Sequence, residues 1–538
     1  MNFFKRAIKN VTRRLSKSVL LLITFFVIGN FVIIGLGVSS ASETAKTLTR
    51  QKMRAVVTYS IDYDSIWEYT DTITDEDVLN EFYNNYPKIT VDEINELLKD
   101  ERVKTANATS VNQLYGIEGE IDFVTLGNDA EQNNGGGTSC YYDEENKEIC
   151  TEYVNPNFSA KGNFFPDMIE IVEGDFTIED GRFYTQDEIE SAAKVVLVSK
   201  ALAEKNGLRV GDNVKFYSQS PSEIQSGWLS QYGVTLDDIV FEAEVIGIYD
   251  HNKKITPDSE NFNWTMPYEN YDNMLLMPGS TLYNMNSTYQ MKVFDYYAEM
   301  NPDDEYYSNP DNRPTGDYNK DDIYINDVTL LLNDPMEVDQ FVEDYKDSVA
   351  QFKKLDANND EFNRLAKPLD TLSLYATFIV WLVVINAIVI ITLVTALTLK
   401  TREYEIGVLL SIGASKFKII AQFFVELALV AVLGFTLSIV SGSLIANKVG
   451  ATVLDYQIAA SDVTEENDRY NHYESIWDTN YTTDVSLEDL VSEYNVSISP
   501  VIIGEIYVVG LGIVLISILI PSMMIMRFNP KRILMNQN

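Results

Sequence analysis

The chain has 538 residues, a formal net charge of -39, two cysteines and two histidines. An acidic balance this strong argues against a nucleic-acid partner, whose phosphates call for Lys and Arg. His251 and His472 alone give little material for a His-based metal site or a catalytic triad, and there is no H-E-x-x-H, G-x-S-x-G or Walker A motif anywhere.

The average conceals a division of labour. The segments 19–38, 372–399, 419–446 and 506–526 are long and apolar enough to cross a bilayer, which takes ~20 residues. Glu426 is the one charge among them. Residues 1–17 read as a basic amphipathic helix on the inner membrane surface, with Phe3, Phe4, Ile8, Val11 and Leu15 near one face. Residues 18–40 form the first transmembrane helix. Its apolar run exceeds the ~7–15 residues of a signal-peptide core and no A-x-A site follows, so it is read as retained.

Residues 41–370 form a large extracytoplasmic α+β region, read as two lobes. Thr90-Val91-Asp92-Glu93 has capping-box spacing before Ile94, Leu97 and Leu98. Val195-Val196-Leu197-Val198 is a buried-strand candidate. A helix over 199–206 with Gly207 as its C-cap follows, then a strand over 241–249. Cys140 and Cys150 flank a short polar segment. A disulfide closing that hairpin fits an oxidising compartment, the alternative being two free thiols. The Tyr-rich stretch 264–327 is read first as long structured loops and second as a binding surface. Asp356 to Glu361 begins like a calcium loop, but Glu361 stands where glycine is required, so no metal site is assigned.

The second transmembrane helix is 371–399, where Asn386 is expected to hydrogen-bond across helices. The loop 400–418 contains an amphipathic stretch with apolar residues available to a partner groove, or forms an ordinary helix hairpin; spacing leaves both open. The third helix, 419–446, carries Glu426, which is expected to play a structural part, reaching the interface or pairing with Lys416 or Lys418, ahead of the alternative of a proton relay. Gly434, Ser438 and Gly442 recur every four residues and offer a face for close helix approach. A second extracytoplasmic loop, 447–499, is acidic and Tyr-rich. The fourth helix, 500–526, is expected to kink at Pro521, and 527–538 is a tail. Lys and Arg concentrate in 1–17, 400–418 and 527–538, which puts both termini and the middle loop in the cytoplasm.

Arg402, Glu405-Ile406-Gly407, Gly413-Ala414, Glu426 and Gly434 resemble the signature of the FtsX-like permease domain, the membrane subunit of type VII (MacB-like) ABC transporters. Pro521 and Asn529-Pro530-Lys531-Arg532-Ile533-Leu534 resemble that family's ending. Asp92-Glu93-Ile94 through Val103, the turn Asp180-Gly181-Arg182-Phe183, the stretch 195–212 and Val245-Ile246-Gly247-Ile248 resemble the MacB-type periplasmic core.

The resemblance implies a membrane α-helical fold of four transmembrane helices with a large α+β extracytoplasmic domain of MacB periplasmic-core type. It implies a permease without catalytic residues or cofactors of its own. ATP and magnesium belong to a separate cytoplasmic ABC ATPase, and a second copy or a related permease completes the assembly. Loop residues Arg402, Glu405, Ile406, Gly407, Gly413 and Ala414 would take the ATPase's push, which the helices pass outward by mechanotransmission. An exporter of a peptide, antimicrobial or amphipathic compound is the first expectation. The alternative is a signalling subunit that activates a cell-wall hydrolase, and an extracytoplasmic adaptor or hydrolase is a further expected partner. Two departures stand out: MacB carries a fused N-terminal ATPase whereas this chain starts at the membrane, and the 447–499 loop is usually short. The Asn-, Asp- and Tyr-rich composition points to the plasma membrane of a Gram-positive bacterium.

Overall fold

The structure, a computed structural model, describes residues 3–13, 15–125, 137–142, 148–253, 266–320, 323–461, 481 and 494–527. Motif residues 529–534, and 462–480 and 482–493 of the second loop, lie outside the described residues. The chain divides into a helical unit, Met1–Met53 with Asn359–Tyr470 and Asp484–Asn538, and an α+β unit, Arg54–Asn358 with Asn471–Thr483.

In the helical unit, the short helix Phe3–Arg13 precedes, among the described residues, four helices long and apolar enough to cross a membrane. Span one is Leu15–Lys52, span two Asn359–Thr401, span three Lys416–Ser461 and span four Pro500–Arg527. Phe25, Ile28, Val32 and Ile33 of span one pack against Val430, Ala431 and Phe435 of span three, with Ile513 and Val514 of span four. Spans one to three run on well past their apolar stretches. The extensions are held by a second core in which Val38, Ala41 and Ala45 meet Leu365, Leu369 and Leu372, with Leu454, Tyr494 and Val496. The spacing of Val38, Ala41 and Ala45, three and then four residues apart, keeps one apolar face on an otherwise polar helix. Lys46 Nζ reaches Asp370 Oδ1 at 2.7 Å beside that core.

Among the described residues the α+β unit holds two large sheets besides a two-stranded hairpin. The first is antiparallel and runs Lys353–Asp356, Val56–Ile61, Asp327–Leu332, Val103–Asn107. Its core gathers Val57, Tyr59, Ile61, Ile94, Leu330 and Phe341. The second has seven strands in the order Phe176–Gly181, Val240–His251, Val195–Ser199, Met274–Pro278, Phe158–Asn163, Thr109–Gly116, Asn213–Tyr217. The last strand also pairs back with Val240–His251, so this sheet curls on itself. Val196 and Val198 face one core while Val195 and Leu197 face another. Two buried faces explain the unbroken apolar run at these positions.

The local signals have clear physical outcomes. Thr90 and Glu93 form a reciprocal capping box on the helix Val91–Leu97. Ser199 caps the helix Lys200–Asn206, and Gly207 ends it at φ 68°. Gly181 sits at φ 78°, where a Cβ would run into the Ile246 carbonyl oxygen, so the tight turn before Arg182 needs glycine. Cys140 and Cys150 stand opposite each other on the hairpin strands Gly137–Tyr142 and Glu148–Tyr153 and are disulfide-bonded.

The Tyr-rich stretch departs from the loop expectation. It carries the helices Gly279–Asn284 and Ser287–Met300. Tyr296 and Tyr297 pack with Tyr232, Tyr307 stacks on Tyr297, and the Tyr232 and Tyr297 hydroxyls lie 2.9 Å apart. Ring packing between a helix and its neighbours offsets the weak helix propensity of Tyr and Thr.

Asp100 makes the α+β unit acid-sensitive. Its carboxylate accepts from Arg102 Nη2 at 2.8 Å and from the Tyr345 hydroxyl at 3.2 Å, while Arg102 also reaches Asp344 at 2.8 Å. Hydrogen bonding to Arg102 outweighs burial and lowers the Asp100 carboxyl from 3.8 to about 2. A lowered carboxyl stabilises the fold above its unfolded value and loses that contribution as pH falls through its folded value. Arg102→Leu is therefore expected to raise the midpoint of acid unfolding below pH 4, followed by near-UV circular dichroism of the full chain in detergent. An unchanged midpoint would show that the pair contributes nothing.

Candidate functional site: a buried charge at the loop between spans two and three

Span two ends at Thr401, and the short helix Glu403–Ser411 turns back before span three begins at Lys416. Arg402 sits at the N-cap of the short helix but points inward, only 5% exposed. Its Nη1 donates to Glu426 Oε2 at 2.7 Å, and its guanidinium lies 5.3 Å from the centre of the Phe423 ring. Glu426 Oε1 accepts from Asn10 Nδ2 at 2.8 Å and from Gln422 Nε2 at 3.0 Å. Three polar side chains, from the N-terminal helix, the loop and span three, thus satisfy one buried carboxylate. A carboxylate among apolar helices persists when paired and hydrogen-bonded in this way.

Glu426 does not pair with Lys416 or Lys418. Those residues lie on the same helix about 12–15 Å away along its axis at ~1.5 Å per residue. Arg402 reaches Glu426 because the chain reverses between them. A small cavity beside the pair is lined by Lys17, Thr395, Thr398, Arg402 and Glu426.

The short helix is held by Ile406, which packs with Leu399, Ile419 and Phe423. Gly407 is also buried. Gly413 stops the turn at φ 90°, and Ala414 N donates to Leu409 O at 3.0 Å. The six loop residues singled out from sequence therefore divide. Arg402, Ile406 and Gly407 face the bundle, Ala414 is half-buried, and Glu405 and Gly413 are exposed. Ile412, within the amphipathic stretch read from the sequence, is exposed at 79%, and the flanking Tyr404 and Phe417, which sequence reasoning did not single out, are exposed too, Phe417 at 78%.

The small residues of span three meet span one. A Cβ on Gly434 would strike Phe25, one on Gly442 would strike Ile33, and one on Gly29 of span one would strike Ser438. The interlock is reciprocal, each helix supplying small residues where the other is bulky. Gly442→Leu is expected to destabilise the bundle by ~1–3 kcal/mol through overpacking, read as a lower melting temperature in detergent; a variant melting like the parent would mean the helices do not approach here. Asn386 is exposed and bonds its own helix at Leu382 O, 2.8 Å away. The cross-helix contact falls instead to Asn30, whose Oδ1 accepts from Ser441 Oγ at 2.9 Å. Pro521 lies inside span four and cannot donate to the carbonyl of Ser517. Thr392 Oγ1 of span two donates to that carbonyl at 3.3 Å.

Four membrane helices with an α+β extracytoplasmic domain inserted between the first two define a polytopic membrane protein of the permease class. The model of the MacB-like periplasmic core domain matches residues 20–305, more than half of the chain, and that of the FtsX-like permease C-terminal matches residues 377–530. The chain belongs to the FtsX/MacB-type permeases of ABC transporters. It is similar to an uncharacterized ABC transporter permease of Bacillus subtilis (strain 168), YclI, with 26% identity over 547 residues covering 100% of both chains. It also aligns with the crystal structure of the periplasmic region of MacB from Actinobacillus actinomycetemcomitans. That alignment covers 57% of this chain and 91% of the other at 11% identity and a TM-score of 0.26, too loose to bear on the fold.

Proposed function

We propose that the chain is the force-transmitting permease subunit of an ABC exporter, working by mechanotransmission with a separate cytoplasmic ATPase. In this reading the protein lies in the plasma membrane of a Gram-positive bacterium, both termini and the loop 400–418 are cytoplasmic, and the chain hydrolyses nothing itself. ATP and magnesium are bound by the ATPase, and a second permease completes the transporter. The cargo is a peptide, antimicrobial or other amphipathic compound.

The observation that supports this reading best is the Arg402–Glu426 pair. It ties the start of the loop helix to span three, so that a push on the helix cannot be absorbed by a slack loop. Exposed Tyr404, Ile412 and Phe417 beside it give an ATPase groove something apolar to grip.

The first test is purification of the chain from its own membranes in mild detergent, with mass spectrometry of what accompanies it. Recovery of a Walker A ATPase supports the reading, and its absence after cross-linking sinks it. A second permease or an adaptor argues export, whereas a cell-wall hydrolase argues the signalling alternative. Gly413→Val, forced into a left-handed backbone that L side chains avoid at ~1–2 kcal/mol, together with Gly407→Trp, is expected to uncouple ATP hydrolysis from transport. Unchanged transport and ATPase binding in the double variant would remove the loop from the force path.

A further inference from the structure

The α+β unit contains a second buried ion pair that the loop site does not use. Lys161 Nζ lies 2.7 Å from Glu170 Oε1, with side chains 7% and 4% exposed. Glu170 Oε2 accepts from Asn107 Nδ2 at 2.8 Å. Lys161 comes from the strand Phe158–Asn163, Glu170 from the one-turn helix Ile169–Val172, and Asn107 from the end of Val103–Asn107 in the other sheet. Elements of both sheets therefore meet on one charge pair.

The remaining wall comes from far along the chain. Tyr481, from the segment between spans three and four, is 7% exposed and packs with Val56, Ile169 and Leu331. Its ring centre is 5.0 Å from Lys161 Nζ. A desolvated ammonium over an aromatic face is an attractive contact, and the ring keeps water from the pair. Burial pushes the Tyr481 phenol up, with the Glu170 charge adding to it, so the ring brings no negative charge of its own.

We propose that Tyr481 is a positioning residue that plugs the segment between spans three and four into the extracytoplasmic domain. The domain is built from Arg54–Asn358, between spans one and two, and takes in Asn471–Thr483 from between spans three and four. The seating of Tyr481 is independent of the proposed function; only its use as a path for force rests on that reading.

The test is amine labelling of the full-length chain in detergent with a small acylating reagent, followed site by site by mass spectrometry. Lys200, 44% exposed in its side chain, serves as an internal reference. In the parent protein Lys161 is expected to be protected relative to Lys200. Tyr481→Ala should raise Lys161 labelling by about tenfold or more, as local opening of ~1.4 kcal/mol corresponds to a factor of ten, while Tyr481→Phe should keep the parent's protection. Lys161 remaining protected in Tyr481→Ala would overturn the proposal, as would equal loss of protection in the Phe variant. If the Ala variant labels every lysine alike because it has unfolded, Tyr481→Leu decides: it retains apolar volume without the π face, and selective Lys161 labelling supports the proposal whereas full protection overturns it. No ATPase is needed, so failure here leaves the proposed function standing.

Discussion

Arg402→Met is expected to be the most damaging single substitution in the helical unit. It leaves the Glu426 carboxylate buried with only Asn10 and Gln422 as donors. Removing one partner of a buried pair typically costs ~3–5 kcal/mol, because the stranded charge keeps its desolvation penalty and loses the attraction that offset it. The double variant Arg402→Met/Glu426→Leu should recover most of the loss, since apolar groups of similar volume need no partner. Glu426→Gln should fall between, keeping acceptor and donor atoms but not the charge. Thermal melting of each variant in detergent, followed by loss of monodisperse protein, checks the order. Equal melting of the parent and Arg402→Met would show the pair to be ornamental, and a double variant worse than either single would show that it fixes geometry rather than satisfying charge.

The second large effect is expected at Lys161. Lys161→Met strands Glu170, again at ~3–5 kcal/mol, and Lys161→Met/Glu170→Leu should be milder than either single change. The pH behaviour follows from the two titrations. Burial alone would lower the Lys161 pKa, but the Glu170 charge overrides it and raises the ammonium above its ordinary 10.5. Burial alone would raise Glu170, but the charge of Lys161 and its hydrogen bonds from Lys161 and Asn107 hold it below 4.5. A raised lysine stabilises fully below its unfolded value and loses that as pH rises through its folded value. A lowered glutamate stabilises above its unfolded value and loses that as pH falls through its folded value. The pair's contribution should therefore be level between pH 4.5 and 10.5, the two ordinary values. Chemical denaturation of parent and Lys161→Met/Glu170→Leu across that window should differ by a constant amount, whereas the gap to Lys161→Met should narrow toward acid as the stranded Glu170 takes up a proton; a parent-to-double-variant gap that closes near neutrality would mean that one partner is already uncharged there.

What was legible in the sequence depended on how local the cause was. Uninterrupted apolar length marks spans, and four of them stood out without any tertiary information. Capping at Thr90 and the stop at Gly207 are likewise decided within a few residues. The site was only half legible. Glu426 was conspicuous as a lone carboxylate, yet its partner was sought among the nearest lysines. Chain reversal at Arg402 puts the true partner 24 positions away, and Asn10 is 416 positions away. Asn386 and Asn30 look alike in sequence, both single amides in apolar runs. Only the rotation of each helix against its neighbours decides that Asn386 faces out while Asn30 meets Ser441. Tyr481 is one tyrosine among 32, and nothing in its neighbourhood distinguishes it. The helix extensions beyond the apolar stretches were missed because an apolar criterion stops where water begins, whereas small residues such as Ala41 and Ala45 keep helices packed beyond that point.

Those extensions change the mechanical character of the bundle. Span one has 38 residues and at ~1.5 Å each measures about 57 Å, against a hydrocarbon layer of ~30 Å. About 27 Å of rod therefore stands clear of the apolar layer, braced by span two through the core around Leu365 and Leu369. A braced rod is a lever with its fulcrum in the bilayer. A change in tilt of about 10°, small against the range that membrane helices adopt, would sweep the free end through about 5 Å. The gain of such a lever is set by length rather than by any one contact. Removing two helical turns from each extension together would shorten its stroke while leaving every contact at Arg402 in place.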